Sequence, residues 1–483
     1  MSAKKIAKKP AKEQLEYSNT NGYLNFPHSG AARMESYCAT YLEYLGKSKT
    51  ERQAHDQAVE LLEAAGFRDL DELARSGAPV AAGDKLYRSC AGKTLAAFVL
   101  GRQPLEQGLR LVGGHTDAPR IDVKQNPLYE TDGMALLDTH YYGGIKKYQW
   151  VTIPLAMHGV FIKPDGKKIT VSIGEQPGDP VFFISDILPH LGQEQAKKSL
   201  GEGITGENLD VIVGSTPVAD KNCKNAIKRR VLEELKKRYG VNESDFMSAE
   251  LEFVPAGQPR EAGFDRSMIL GYGQDDRVCA YAALKALLDL KGAPEYTACV
   301  LLCDKEEVGS QGATGMQSNF FENTMAELMA LANGAYEGLA ARRAMSRSKM
   351  LSADVNAVYD PLYPSVFEKK NAALLNHGTC ITKFTGARGK SGANDANPEF
   401  VAEVRRIFDA AGVKWQTAEL GKVDAGGGGT IAAFMARYGM EVLDCGVSLL
   451  AMHAPWELSG KFDVYMTYKG YLAFLNDAGR RSK

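Results

Sequence analysis

Two adjacent acids, Glu306 and Glu307, follow an apolar run from Ala298 to Cys303 and precede Gly309. Neighbouring residues leaving a strand point in different directions. The pair can therefore divide two tasks, one carboxylate holding a metal ion and the other handling a proton. That division needs ligands from elsewhere, and other short apolar runs supply candidates. His115 and Asp117 follow Leu109 to Val112, Asp354 follows Met350-Leu351, and His453 lies beyond Glu441 to Gly446. Asp275 and Asp276 open a helical stretch. His115, Asp275, Glu307, Asp354 and His453 form a mixed nitrogen and oxygen set, suited to zinc, cobalt or manganese rather than to a thiolate site. Five ligands exceed one tetrahedral ion and suit two ions sharing a carboxylate, an arrangement that activates water and polarises a carbonyl. Glu306 is then free to move a proton from that water to a leaving amine.

Each group also has a plainer reading. Asp at a helix N-terminus can be a simple cap, and His453 or Asp354 can be a packed imidazole or a solvated strand end. His158, in the apolar frame Ile153-Pro154-Leu155-Ala156-Met157-His158, reads first as a core histidine. Asp117 is two residues from His115, on the same face of an extended chain. A carboxylate there can hold the second nitrogen of a metal-bound imidazole.

The elements that must position these groups are those of an α/β chain. Helices are expected within 30–65, Ala54 to Ala65 being the cleanest, with Gly66 as its stop. Buried strands are expected at Thr94 to Leu100, Leu109 to Val112, Ala298 to Cys303, Gly378 to Phe384 and Glu441 to Gly446. A helix should run from Val278 to Leu290. Residues 122–259 read differently: β-rich pieces at 151–159 and 169–173, an apolar piece from Phe182 to Ile187, and an amphipathic helix from Ala226 to Tyr239. No strand-end acid constellation shows there, so this segment reads as an insert for assembly or substrate access. Gly426 to Gly429 lack the Gly-Lys-Ser/Thr of a phosphate loop, and close approach of backbone to substrate at Gly427 and Gly428 is the better reading.

At 483 residues the chain is long enough for more than one domain. A net charge of −1 favours no polyanionic partner, so no nucleic-acid role is expected. Lys4, Lys5, Lys8, Lys9 and Lys12 mark residues 1–18 as a basic disordered leader. No secretory h-region follows it, and no run of ~18 apolar residues suggests a membrane span. The eight cysteines lack paired motifs, which points to reduced thiols and a cytoplasmic setting.

The pieces His115-Thr116-Asp117, Gln274-Asp275-Asp276-Arg277, Glu306 to Ser310, Ser352-Ala353-Asp354 and Ala451-Met452-His453 occur in one order. In these the chain resembles the aspartyl aminopeptidase and vacuolar aminopeptidase I family of dizinc metallopeptidases, from about residue 20 onward. The resemblance implies an α/β peptidase domain with a central mixed sheet flanked by helices (19–121 and 260–483), interrupted by a β-rich dimerisation domain (122–259). It implies dimers that build a tetrahedral dodecamer, and release of N-terminal residues from peptides. It places His115 and Asp354 on one ion, Glu307 and His453 on the other, and Asp275, rather than Asp276, between them. Asp117 would orient His115, and Glu306 would be the general base. His158 would polarise a carbonyl in a neighbouring subunit's site. Lys383 is a candidate for the substrate pocket. The loop from Gly386 to Asn397 departs from the aspartyl-specific pattern, so acidic and neutral or apolar N-termini both stay open.

Two rivals remain at the level of sequence. A deacylase of the same dizinc design would lack this insert and motif order. A non-catalytic assembly protein would have lost a ligand or Glu306.

Overall fold

Strands Thr94–Val99 and Thr297–Cys303 are buried at every position, as central strands covered on both faces must be. Their side chains alternate between two cores. Leu95, Ala97, Val99, Val300 and Leu302 face one, while Ala96, Phe98, Cys299, Leu301 and Cys303 face the other. In this computed structural model, which describes residues 15–335 and 337–479, they belong to a nine-stranded mixed sheet. Most of the expected basic leader, including its lysines, lies outside the described residues.

At the centre of that sheet Thr297–Cys303, Leu109–His115, Lys349–Ser352 and Glu441–Gly446 run parallel. Their C-terminal ends therefore share one edge, where open α/β sheets place their chemistry. The helices Gln274–Leu288, Lys461–Leu475, His28–Lys47 and Glu51–Ala64 cover one face. Phe320–Asn333 and Gly338–Arg347 pack on the other. Thr50 and Gln53 form a capping box that starts Glu51–Ala64, and Gly66 at φ +83° follows its end.

A second, antiparallel sheet of six strands runs from Arg120 to Pro255 and has its own core around Trp150, Phe161 and Phe253. It takes in Arg120 and Ile121, just before the expected start at 122. The strand expected at 151–159 forms at Leu155–Ile162, and Phe182 and Phe183 contribute only isolated bridges.

A third sheet has no counterpart in the sequence reading. It joins Arg260–Ala262, Met268–Gly271, Glu457–Gly460, Ser448–Leu450 and Asn356–Ala357. Its strands lie next in sequence to Asp275, His453 and Asp354. Among the described residues, no helix is long and apolar enough to cross a membrane.

Candidate metal centre

His115 ends a central strand, and the register pairs it with Cys303, three residues before Glu306. Gly114 makes its surroundings possible. A Cβ there would meet the Asp276 Oδ2 at 2.5 Å and the Ala353 carbonyl at 2.9 Å. With glycine in place, Asp276 comes close enough for its Oδ2 to accept the His115 backbone N–H at 3.3 Å.

Glu306 and Glu307 do not continue the strand. Lys305 turns left-handed at φ +68°, and Glu306–Val308 forms one turn of 3₁₀ helix. Both glutamate amides then point at a single acceptor. The Asp117 Oδ1 accepts the Glu306 N–H at 3.1 Å, and its Oδ2 accepts the Glu307 N–H at 3.2 Å. The Tyr142 hydroxyl, from the second sheet, donates to the same Oδ2 at 2.8 Å. Asp117 is fully buried, yet against the opposing effect of burial the His115 imidazole, the Tyr142 hydroxyl and Arg120 hold its carboxyl below the usual range.

The two imidazoles settle their own tautomers. His115 Nδ1 lies 3.0 Å from the Asp117 carbonyl oxygen, and His453 Nδ1 lies 2.9 Å from the Gly144 carbonyl oxygen. A carbonyl only accepts, so each Nδ1 carries the hydrogen. Each Nε2 then faces carboxylates. His115 Nε2 is 3.2 Å from Asp275 Oδ1, while His453 Nε2 is 3.2 Å from Asp275 Oδ2 and 3.5 Å from Glu307 Oε2. Asp275 thus stands between the two rings, one oxygen toward each. Its Oδ1 and the Glu307 Oε1 are buried without a hydrogen-bond donor. Lone pairs that converge in this way suit a cation, and neutral imidazole with carboxylate is a zinc donor set. One ligand atom each from His115, Asp275 and Glu307 lies within 4.8 Å of the others. The residues fit a divalent metal.

Asp354 lines the same cavity as Asp275, Glu306 and His453. Burial, with Glu306 as a close like charge, pushes its carboxyl well above the usual range. Burial also pushes Glu306 up to about 7, with Asp275 and Asp117 adding to the shift. The cavity, about 370 Å³, extends from these acids to Phe384, Arg388, Lys390, Lys422 and the glycines 426–429.

Gly427 and Gly428 line this cavity, but the tight approach at Gly427 is to the chain itself. Its φ is +113°, and a Cβ would sit 2.2 Å from the Gly386 carbonyl oxygen. Lys383 does not line the cavity. It is paired with Asp395 at 2.8 Å and lies over the Phe384 ring, and Lys390 occupies the lining instead. His158 is also away from the acids. Its ring is 2% exposed, with Nδ1 3.1 Å from Gln53 Nε2 and Nε2 3.1 Å from Glu175 Oε1.

Two positioning groups, Tyr142 and Glu457, are not among the expected site residues, while Asp276, set aside as the shared acid, accepts the His115 N–H instead. Glu457 Oε2 accepts the Asp275 N–H at 3.1 Å, and its Oε1 accepts the His453 N–H at 2.9 Å. Burial pushes its carboxyl up to about 8 while those two N–H groups oppose the shift. A glutamate four residues after a candidate ligand was the available signal for Glu457; Tyr142 gave none.

The family profile described as aminopeptidase I zinc metalloprotease (M18) matches residues 44–475. The chain belongs to the M18 family. It is accordingly a metal-dependent aminopeptidase of the zinc metalloprotease class. A protein of Clostridium acetobutylicum described as a probable M18 family aminopeptidase 1 is 53% identical over 437 residues, covering 90% of this chain and 94% of that one. The crystal structure of an M18 aminopeptidase from Thermotoga maritima matches with a TM-score of 0.90 and 42% identity, over 95% of this chain and 100% of that one. The structure of the S. cerevisiae mApe1 dodecamer shares the fold, at 21% identity and a TM-score of 0.74, over 92% of this chain and 97% of that one.

Proposed function

We propose that this M18 aminopeptidase removes N-terminal residues from peptides with two divalent ions, zinc or alternatively manganese or cobalt. His115 and Asp354 would hold one ion, Glu307 and His453 the other, and Asp275 would serve both. The observation that carries this reading is the pair of imidazoles, each fixed with Nδ1–H on a carbonyl and Nε2 facing Asp275. When bound, such ions polarise the scissile carbonyl and acidify water. Glu306 is the general base: it takes a proton from the attacking water and returns it to the departing amine. Asp117 holds the ring of His115 and the amides of both glutamates, so base and ligand move as one unit.

Glu306→Gln keeps the shape of the side chain and removes the base. Its metal content, measured by atomic emission, is expected to match wild type. Turnover is expected to fall by about 10²–10⁴-fold, and a variant turning over at the wild-type rate would exclude Glu306 as the base.

The cavity carries Arg388, Lys390 and Lys422 beside Phe384, Leu420 and Val423. These basic groups and apolar walls suit acidic or apolar N-terminal side chains. On a panel of N-terminal Asp, Glu, Leu, Met and Lys substrates, Lys is expected to be cleaved slowest. The second sheet, residues 122–259 in the sequence reading, is assigned to dimer formation, and the relationship to the yeast dodecamer extends that to a dodecamer. Solution mass measurement tests it. The eight unpaired cysteines fit a cytoplasmic enzyme.

A further inference from the structure

We infer that Glu457 is a positioning residue that fixes the backbones of Asp275 and His453 together. The inference rests on the assignment of those two residues as metal ligands.

Neither ligand is held by regular secondary structure. Asp275 sits at a kink where the helix has not yet begun, with φ −78° and ψ 107°. Its own N–H therefore has no place in a helical ladder. His453 is left-handed, at φ +65°, in a turn where Ala451 is left-handed too. Side chains other than glycine adopt that region sparingly, and it persists only where neighbours enforce it.

Glu457 supplies that enforcement to both. It begins the strand Glu457–Gly460, which is paired with Met268–Gly271, so its backbone is fixed by the third sheet. The Gln274 Nε2 donates to its carbonyl at 2.7 Å, and Ser459 Oγ donates to Gln274 Oε1 at 2.6 Å. From this fixed base the side chain, 1% exposed, offers one oxygen to each ligand's N–H. A carboxylate is suited to this task because both of its oxygens accept. An amide has a single acceptor and would turn an N–H toward one of the two donors. Glu457 touches no reacting atom. It acts through the ligands, setting the separation between the Asp275 carboxylate and the His453 ring.

The test compares Glu457→Gln with wild type in metal affinity, kcat and KM. Partners behind metal ligands typically contribute 10–100-fold to affinity or activity. Glu457→Gln is expected to weaken zinc binding to the metal-free enzyme, and to lower kcat at saturating zinc, each by about 10–100-fold, with KM little changed. Glu457→Asp keeps the charge but withdraws both oxygens by one methylene, and the same losses are expected if the Gln variant does not fold. A folded variant with a lowered unfolding temperature but wild-type zinc affinity and kcat overturns the inference, because a merely structural residue would behave that way. His453→Ala separates the two readings. If it loses zinc while Glu457→Gln does not, the ligand assignment stands and the positioning role falls. If it binds zinc at both sites as tightly as wild type, the ligand assignment falls and the positioning role with it.

Discussion

Asp117 shows how far one buried carboxylate can reach. It receives the amides of Glu306 and Glu307, the hydroxyl of Tyr142 and the ring of His115. Tyr142→Phe removes one of those donors without changing the packing of the ring. Turnover is expected to fall by about 10-fold, at the lower end of the range for a partner behind a ligand, and steady-state kinetics at saturating zinc will read it. Asp444 makes a different prediction. It is buried within the central strand Glu441–Gly446, accepts the Thr430 hydroxyl at 2.6 Å, and burial pushes its carboxyl up to about 6. Because the folded value is raised, the protonated form favours the native state. That contribution is complete below the ordinary carboxylate range near 4 and is lost as the pH rises through about 6. Asp444→Asn does not ionise, so its stability relative to wild type should improve with pH across that window, by up to about 3 kcal/mol. Urea unfolding at several pH values checks this, and a flat difference would refute it.

Between elements, Arg120 is the residue to perturb. It opens the second sheet, is 4% exposed, and pairs with Glu51 at a helix start of the peptidase fold as well as with Asp122 and Glu252. Its guanidinium also stacks 3.7 Å from the centre of the Tyr142 ring. The second sheet and the segment after its strand Met134–Tyr142 reach the candidate metal centre twice, through Tyr142 to Asp117 and through the Gly144 carbonyl to His453. Truncating one member of a buried charge cluster strands its partners. Arg120→Ala is expected to destabilise the fold by about 3–5 kcal/mol in denaturant titration. It should also lower turnover, since Tyr142 loses the cation that packs on it. Normal activity in the folded variant would show that the sheet's docking does not govern the site.

For the whole molecule, the candidate ligands stand on segments next to two sheets. His115 and the Glu306–Glu307 turn leave the main sheet, while Asp275 and His453 are tethered to the third by Glu457. Ions bound only by the native state stabilise it by mass action. Chelation is expected to abolish activity and lower the unfolding temperature, and added zinc should restore both. At a free zinc concentration near 100 times the dissociation constant the gain is about 2.7 kcal/mol for one site. An unfolding temperature indifferent to chelator would contradict metal binding at this locus.

The linear sequence determined the central strands, because full burial on both faces demands continuous apolar runs, as at Thr94–Val99 and Thr297–Cys303. It also determined which strand ends carry acids and imidazoles, since a parallel arrangement puts those ends on one edge. His115, Glu307 and Asp354 were candidates for that reason, whereas Asp275 and His453 border the third sheet and were singled out by residue type and motif order. Only the tertiary structure decided how they are held. The third sheet is built from short strands far apart in the chain, none long enough to show a period, and it sets Glu457 against two ligands at once. Tyr142, at the end of a strand of the second sheet, and Gly144, just beyond it, reach the site from a segment whose own pattern announces only β structure. The surroundings of Lys383 and His158 likewise came only from the fold, because a side chain's partners, Asp395 for one and Gln53 with Glu175 for the other, depend on contacts between distant segments. Residue type and spacing specify which groups can do chemistry, and packing specifies which of them face the same few ångströms of space.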